Sequence, residues 1–264
     1  MRYSLYPGCT LKTKAKVFEE TALQAAEGLD LEMVELEEWQ CCGAVYPLAK
    51  DEYFPLLSPV RSLAAAGERG EKLVTLCAAC HHVFKRANHA IKTDREARDK
   101  VTGYLEVDYS GGVEVLHYLE VLKKDVGFDK IREKVKKPLE GRKLAAYYGC
   151  LLLRPEKEMQ FDNPEDPTIL EDFIRSLGAE AVMYPYRTDC CGAYLSITEE
   201  GLARDTVGKI LKSAARNGVE GLVVACPLCQ YNLAKYQESL TESREGKEIP
   251  VYYFTELLAE ALDE

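Results

Sequence analysis

The ten cysteines of this 264-residue chain form two sets of five in the same order. Each set begins with Gly-Cys, continues with Cys-Cys-Gly-Ala and ends with C-x-x-C. The lone cysteine and the adjacent pair are separated by 31 residues in one set and 39 in the other, and 34 residues separate the pair from C-x-x-C in both. The repeat predicts two related domains. The sets are Cys9, Cys41, Cys42, Cys77 and Cys80, then Cys150, Cys190, Cys191, Cys226 and Cys229.

Strand and helix patterns alternate along both halves. The spacing of apolar residues predicts helices at 14–27, 59–69, 80–97 and 117–122. It predicts strands at 3–7, 31–36, 72–76 and 113–116, and the second half repeats them at 143–148, 181–185, 221–225 and 251–254. This order is typical of α/β units with largely parallel sheets. Ligands of such sheets lie beyond the carboxyl ends of the strands, where the cysteines are expected.

Two segments interrupt the repeat. A charged stretch, 123–143, separates the halves and predicts domains at 1–140 and 141–264. It is either a solvated linker or a docking surface for an acidic electron-transfer partner. A polar insertion with three prolines, 153–167, begins three residues after Cys150 and predicts an ordered loop. This loop is either a wall or lid of the adjacent site or a tolerated surface insertion.

Bulk properties limit the possible partners and compartment. A net charge of -10 and a pI near 5.1 argue against nucleic-acid binding and against an anionic membrane surface. No apolar run reaches the roughly 18 residues of a membrane span, and too few residues precede Cys9 for a signal peptide. We therefore expect a soluble cytoplasmic protein without direct membrane insertion. In that compartment clustered cysteines are metal ligands or redox thiols more often than structural disulfides.

Five thiols per half restrict the metal chemistry. A disulfide framework suits neither the compartment nor adjacent cysteines. Structural zinc needs four ligands and leaves the fifth thiol unexplained, although zinc in one half and iron in the other remains open. Ordinary [2Fe–2S] and [4Fe–4S] clusters also use four cysteines. Either one cysteine in each set is a bystander, or an opened cluster binds more than four thiolates.

The doubled pattern of Gly-Cys, Cys-Cys-Gly and C-x-x-C resembles the twin cysteine-rich (CCG) domain of the B-type subunit of heterodisulfide reductase and its relatives. The resemblance covers residues 3 to about 258. It implies two Rossmann-like parallel-sheet domains related by a pseudo-twofold axis. It also implies that each set of five cysteines binds one non-cubane [4Fe–4S] cluster.

The resemblance further implies a reaction and its partners. A disulfide, such as the coenzyme M–coenzyme B heterodisulfide, would be cleaved between the clusters, and two electrons and two protons would release two thiols. A C-type, ferredoxin-like iron–sulfur subunit and an A-type flavoprotein would supply the electrons. The same domain pair also occurs in glycolate or lactate oxidation proteins, fumarate reductases and succinate dehydrogenases. The alternative is therefore a non-catalytic electron-transfer subunit.

Several residues near the cysteines are candidates for supporting roles. His81 and His82, directly after Cys80, are candidate proton donors to a departing thiolate, or they are ordinary residues at the start of a helix. His117 and Tyr253 occupy matching positions and either reach a cleft between the halves or pack in the core. The other candidates are the tyrosines as hydrogen-bond donors to cluster sulfides and the glycines as sites of close backbone approach: Tyr6, Tyr147, Tyr148, Gly8, Gly43, Gly149 and Gly192.

Overall fold

The computed structural model describes residues 1–44, 52–237 and 248–263. The helices and strands of the first half are β1 (Arg2–Tyr6), α1 (Lys16–Gly28), β2 (Glu32–Glu35), α2 (Phe54–Glu68), β3 (Leu73–Thr75), α3 (Ala78–Thr93), α4 (Arg95–Leu105), β4 (Val115–His117) and α5 (Tyr118–Val121). A π-helical turn (Leu122–Val126) and α6 (Phe128–Lys134) follow. Those of the second half are β5 (Lys143–Tyr147), α7 (Glu156–Met159), α8 (Ile169–Ser176), β6 (Glu180–Ala181), α9 (Glu200–Arg216), β7 (Gly221–Val224), α10 (Pro227–Lys235), β8 (Val251–Tyr253) and α11 (Phe254–Leu262). Two 3₁₀ turns, Pro185–Thr188 and Ala193–Leu195, flank the second Cys-Cys-Gly.

Each half contains a four-stranded, fully parallel sheet. The strand orders are β2-β1-β3-β4 and β6-β5-β7-β8, which are the same order in the two halves. The registers also correspond, because Leu5 pairs with Val74 in one sheet and Ala146 pairs with Val223 in the other. β3, β4 and β7 are buried along their whole length, as expected for parallel strands covered by helices on both faces. The structure confirms the predicted α/β class and its internal repeat.

The two halves pack closely through their helices. α1 of the first half lies against α11 of the second, where the hydroxyls of Thr21 and Thr255 are 2.7 Å apart. The rings of Phe18 and Tyr253 stack at 4.2 Å between centroids. The backbone N–H of Lys136 also donates to the Ala261 carbonyl at 2.8 Å. These contacts fix the orientation of one sheet relative to the other.

The charged stretch between the halves is more ordered than a solvated linker. α6 packs against α8, Ile131 is buried, and the rings of Phe128 and Phe173 lie 6.2 Å apart. Its charges remain on the surface, where Lys134 pairs with Asp30 at 2.7 Å. The apolar residues between the charges therefore attach this segment to both halves.

Several local predictions differ from the structure. The strand expected at 181–185 is limited to Glu180–Ala181, and a 3₁₀ turn begins at Pro185. The helix expected over 80–97 ends at Thr93, and α4 begins at Arg95 because the Asp94 carboxylate accepts a hydrogen bond from the Ala97 N–H at 3.1 Å. The insertion 153–167, expected to be a loop, contains the single helical turn α7. Its Phe161 is buried between the halves, so the segment is not a simple surface insertion.

Candidate metal centre

All ten cysteines lie beyond the carboxyl ends of parallel strands. Cys9 follows β1 and Cys150 follows β5, whereas Cys77 and Cys226 are the N-terminal caps of α3 and α10. The three cysteine-bearing loops of each half therefore meet at one edge of its sheet. Cys80 and Cys229 lie in the first turns of α3 and α10, where the positive end of the helix dipole favours an anionic centre.

The five thiols of the first half come together in pairs. Cys9 Sγ lies 3.5 Å from Cys41 Sγ, and Cys42 Sγ lies 3.3 Å from Cys80 Sγ. The Cys77 thiol interacts with Cys80. Cys42, Cys77 and Cys80 are buried, and Cys9 and Cys41 are exposed.

The second half repeats these pairs. Cys191 Sγ lies 3.6 Å from Cys229 Sγ, the thiols of Cys150 and Cys190 are hydrogen-bonded, and Cys226 interacts with Cys229. As in the first half, the last three cysteines of the set are buried. The structure thus brings together all the cysteines that the sequence predicted as ligands, in two matching groups.

The two groups meet at the junction of the halves. The Ala78 N–H donates to the Ala225 carbonyl at 3.0 Å, which joins the two C-x-x-C loops directly. Cys77 and Cys226 also lie close enough to interact, which raises the pKa of Cys77 and helps to lower that of Cys226. A group bound at one site would therefore lie next to a group bound at the other.

The thiol groups favour partial ionisation. Hydrogen bonds from the Cys41 and Cys80 thiols lower the pKa of Cys42 to about 3. Hydrogen bonds from Cys150 and Cys191 lower the pKa of Cys190 to about 2. Each site thus combines thiolates with thiols, and all ten cysteines are unbridged. Thiolate is the form that binds iron or zinc, so the donor set fits a metal centre.

The described thiols do not converge on one point. Among the described residues, no group of three or more His, Cys, Asp or Glu side chains could hold one metal ion. A tetrahedral zinc site requires its ligands to surround a single point.

Two tyrosines anchor the Cys-Cys-Gly loops in equivalent ways. The Tyr6 hydroxyl donates to the Gln40 carbonyl at 2.6 Å, and the Tyr147 hydroxyl donates to the Asp189 carbonyl at 2.7 Å. Each acceptor precedes the first cysteine of its pair. A phenol has one O–H to donate, and here both hydroxyls hold the ligand loops, while Tyr6 also interacts with the Cys42 thiol.

Two glycines allow the loops to approach the C-x-x-C cysteines. Gly8 and Gly149 have φ angles of +75° and +62°. A Cβ on Gly8 would lie 3.2 Å from Cys80 Sγ, and one on Gly149 would lie 3.2 Å from Cys229 Sγ. Any other residue would be strained and would crowd a ligand sulfur. The expected close backbone approach is present here in both halves.

The candidate proton donors occupy different environments. His81 is fully buried, neither ring nitrogen has a hydrogen-bond partner among the described residues, and its Nε2 lies 3.4 Å from the Glu120 carboxylate. Burial lowers its pKa well below the usual range. His82 is half-buried and lines a cleft between the halves, where burial lowers its pKa to about 4. Of the two histidines, His82 alone lines that cleft.

His117 and Tyr253 do not reach the cleft. His117 is fully buried, and its Nε2–H donates to the Leu76 carbonyl at 2.7 Å. The Leu119 N–H donates to its Nδ1 at 3.2 Å, which fixes this tautomer. Tyr253 is buried against Phe18.

Sequence reasoning missed a buried polar network behind the second site. The Tyr148 hydroxyl donates to the Glu171 carboxylate, which also pairs with Arg187 at 2.8 Å. Arg187 binds Asp166 and donates to the Pro167 carbonyl at 2.6 Å, while its own carbonyl accepts from the Tyr148 N–H at 2.9 Å. Single charged residues far apart along the chain give no periodic signal that could have predicted this network.

Two cavities adjoin the cysteines. A cleft of about 580 Å³ lies between the halves and is lined by Cys42, His82, Arg86, Leu151 and Tyr194, among others. A much smaller cavity, of about 20 Å³, is lined by all five cysteines of the second set. Among the described residues, no helix is long and apolar enough to cross a membrane.

Comparison with known proteins gives consistent matches. The family CCG, a cysteine-rich domain, matches residues 3–85 and 144–234. The chain is 33% identical to the 8-methylmenaquinol:fumarate reductase membrane anchor subunit of Wolinella succinogenes, over 98% of this chain and 92% of that protein. It is 26% identical to the B-type subunit of the ferredoxin:CoB-CoM heterodisulfide reductase of Methanosarcina mazei, over 99% and 89% of the two chains. It is 29% identical to a protein of Archaeoglobus profundus that is named as similar to the B-type subunit of heterodisulfide reductase, over 98% and 90%.

A solved structure has the same fold. The crystal structure of a hypothetical protein from Helicobacter pylori superposes with a TM-score of 0.77 at 12% identity. The match covers 100% of this chain and 49% of that one, so this chain spans about half of that structure. At this identity the likeness concerns the fold alone.

Proposed function

Because the chain belongs to the twin cysteine-rich (CCG) domain family of the B-type subunit of heterodisulfide reductase and its relatives, we propose that it is the iron–sulfur subunit of a disulfide-reducing complex. Its reaction is R–S–S–R′ + 2 e⁻ + 2 H⁺ → RSH + R′SH. The observation that carries the proposal is the junction of the two five-thiol sites, where the Ala78 N–H donates to the Ala225 carbonyl and Cys77 neighbours Cys226. Two adjacent sites of the same kind can each receive one sulfur of a disulfide.

The ten cysteines are proposed to hold two [4Fe–4S] clusters of the non-cubane type. The support is the presence of five donors in each half and their spread in pairs. When bound, iron–sulfur clusters supply one-electron transfer. The alternative cofactor is zinc in one of the two sites, which the metal content of the protein distinguishes.

The protein's own residues would hold the substrate and its protons. The cleft beside Cys42 is the proposed entry for a small-molecule disulfide, because it is the larger of the two spaces at the cysteines. His82 lines this cleft and is the better placed of the two histidines for contact with a departing thiolate. His81 lies buried behind it and is proposed to shape the junction.

The partners, boundaries and location complete the proposal. The sequence contains no C-x₂-C-x₂-C-x₃-C run and no G-x-G-x-x-G, so a C-type, ferredoxin-like iron–sulfur subunit and an A-type flavoprotein are proposed to deliver the electrons. We place the domain boundary at residues 140/141, in the charged stretch before β5. The unbridged cysteines support a reducing compartment, which we take to be the cytoplasm.

A second candidate is a non-catalytic electron-transfer subunit of a fumarate reductase-type complex. The observation that favours it is the 33% identity to a protein named as a fumarate reductase subunit. In that role the two sites would relay electrons, and the cleft would bind no disulfide.

Metal analysis and spectroscopy on anaerobically prepared protein test these proposals. Two clusters predict about eight iron atoms per chain. Adding 2-mercaptoethanesulfonate to the oxidised protein is expected to change its paramagnetic signal, and reduced protein is expected to cleave an added disulfide. Cys41→Ser and Cys190→Ser are expected each to change the spectrum of one cluster only.

The outcomes separate the candidates. About eight irons without any response to thiol or disulfide would favour the electron-transfer subunit. Four or fewer irons in fully loaded protein would contradict the two-cluster assignment, and one zinc per chain beside them would favour the mixed site. Unchanged spectra in both serine variants would indicate ordinary clusters with four ligands.

A further inference from the structure

The cleft and the second cysteine cavity share a wall. The cleft reaches Cys42 of the first site and continues to Leu151 and Tyr194 of the second half. The second cavity is lined by Cys150, Cys190, Cys191, Cys226 and Cys229, and by the same Leu151 and Tyr194. These two side chains are the described residues that face both spaces. They separate the cleft beside one site from the small cavity within the other.

Tyr194 is held in this wall by a contact with the other half. Its hydroxyl donates to the Ala44 carbonyl at 2.6 Å, although the two residues are 150 positions apart. Ala44 ends the first Cys-Cys-Gly-Ala and Tyr194 directly follows the second. One hydrogen bond therefore connects the two ligand loops through this ring.

The attachment is weak enough to open. The Tyr194 side chain is 40% exposed, and the rest of its turn, Ala193–Leu195, has no fully buried residue. The loss of one neutral hydrogen bond changes such an equilibrium about fivefold. Exposed side chains change rotamer on the nanosecond scale or faster. The ring can thus leave the wall without rearrangement of either sheet.

We propose that Tyr194 is a gate between the cleft and the second cysteine site, held closed by its hydrogen bond to the Ala44 carbonyl. The assignment deepens the proposed function and rests on it in one respect: a disulfide that contacts both sites must displace this ring. A ligand in the cleft would meet the first site directly and the second only after the gate opens. Tyr194 would then determine which groups can reach both sites.

The repeat does not place a tyrosine at the matching position of the first half. The residue that follows the first Cys-Cys-Gly-Ala is Val45, whose side chain has no hydroxyl. The internal repeat therefore does not provide a second tether of this kind. The asymmetry agrees with the large difference in volume between the two spaces, about 580 and 20 Å³.

Alkylation of the full-length, cluster-free protein tests the gate without depending on any enzymatic activity. Iodoacetamide reacts when a thiolate sulfur displaces iodide, and peptide mass spectrometry gives the rate at each cysteine. In Tyr194→Ala, the rates at the buried Cys191 and Cys229 are expected to rise at least about tenfold, since more than one hydrogen bond is removed. In Tyr194→Phe, they are expected to rise about fivefold. Because Cys42 already lines the cleft, its rate is expected to rise less than the rates at Cys191 and Cys229.

Tyr231→Ala is the matched control. Tyr231 is 59% exposed, lies two positions after Cys229 and lines neither space. Its removal is expected to leave the Cys191 and Cys229 rates unchanged. A rise equal to that in Tyr194→Ala would overturn the gate, because any loss of a tyrosine near the site would then suffice.

Unchanged rates at Cys191 and Cys229 in Tyr194→Ala would also overturn it. If that variant misfolds, all ten cysteines will react quickly, and Tyr194→Phe, which retains the ring, then decides alone. If the alkylation rates change as expected but the cluster-loaded protein fails to reduce a disulfide, the proposed function is refuted and the gate is retained.

Discussion

The two halves hold their cysteines in the same way but surround them differently. In both, a tyrosine at the end of the first strand anchors the Cys-Cys-Gly loop, and a glycine lets the lone cysteine approach C-x-x-C. The first site adjoins a large cleft and has histidines beside it, whereas the second surrounds a much smaller cavity and has a buried ion pair behind it. Within one chain, the contacts that hold ligands are alike and those that control access and charge differ.

The junction itself is asymmetric because of one proline. The Ala78 N–H bonds to the Ala225 carbonyl, but the equivalent nitrogen in the other half belongs to Pro227, which has no hydrogen to donate. The Leu76 carbonyl, which would have been the acceptor, is bonded by His117 instead. The Ala225 carbonyl already accepts the Ala78 N–H. The second half therefore needs no side-chain donor at Tyr253, the position that matches His117.

The largest expected effect concerns the ion pair of the second half. Arg187→Met would leave the buried Glu171 carboxylate without its cationic partner, which typically costs about 3–5 kcal/mol. The first half has Pro7 at the position of Tyr148 and therefore lacks this network. We expect its stability to be unchanged in the variant. Urea unfolding measures the loss, and hydrogen exchange is expected to locate it in α8 and the turn at Pro185–Thr188.

Arg132→Met is the control for that substitution. Arg132 pairs with Asp129 on the surface, with 60% and 91% of the two side chains exposed. Exposed pairs contribute less than about 1 kcal/mol. Equal losses in the two variants, or increased exchange in both halves for Arg187→Met, would contradict a stabilising role confined to the second half.

The next largest expected effect is a loss of unfolding free energy at acidic pH, and it is expected in the first half. Burial lowers the pKa of His117 to about 4, with Glu120, His81 and the Cys226 thiol as the nearby titratable groups. A depressed pKa means that the unfolded state takes up the proton first, so stability present above pH 6.5 is lost as pH falls. The loss between pH 7 and pH 5 is about 2 kcal/mol for this residue.

His117→Gln removes the titration and is expected to flatten the dependence of unfolding free energy on pH by that amount. An unchanged slope in His117→Gln would show that His117 does not account for the acid sensitivity. Tyr253 does not titrate in this range, so the second half should not share the effect.

Much of this plan is readable from the sequence, since duplicated cysteine spacings and strand patterns have fixed periods. They predicted both parallel sheets and the placement of the ligand loops at the strand ends. They could not predict that Tyr194 contacts Ala44, because a contact between residues 150 positions apart depends on how the halves pack. The role of Phe161 was missed for the same reason, since a polar insertion conceals one buried ring.

The smallest expected effect concerns the tyrosine that anchors the Cys-Cys-Gly loop in each half, a feature that the two halves share. Tyr6→Phe and Tyr147→Phe each remove one hydroxyl and leave a loop carbonyl, that of Gln40 or Asp189, without its donor. Each is expected to reduce the unfolding free energy by about 1 kcal/mol. Tyr104→Phe, at a residue 74% exposed, is the control and should change it little. Because the two bonds have nearly the same length and the same place before a cysteine pair, the two losses should be equal. If only one variant loses stability, or loses metal from its own site, the halves differ even in how they hold their ligands.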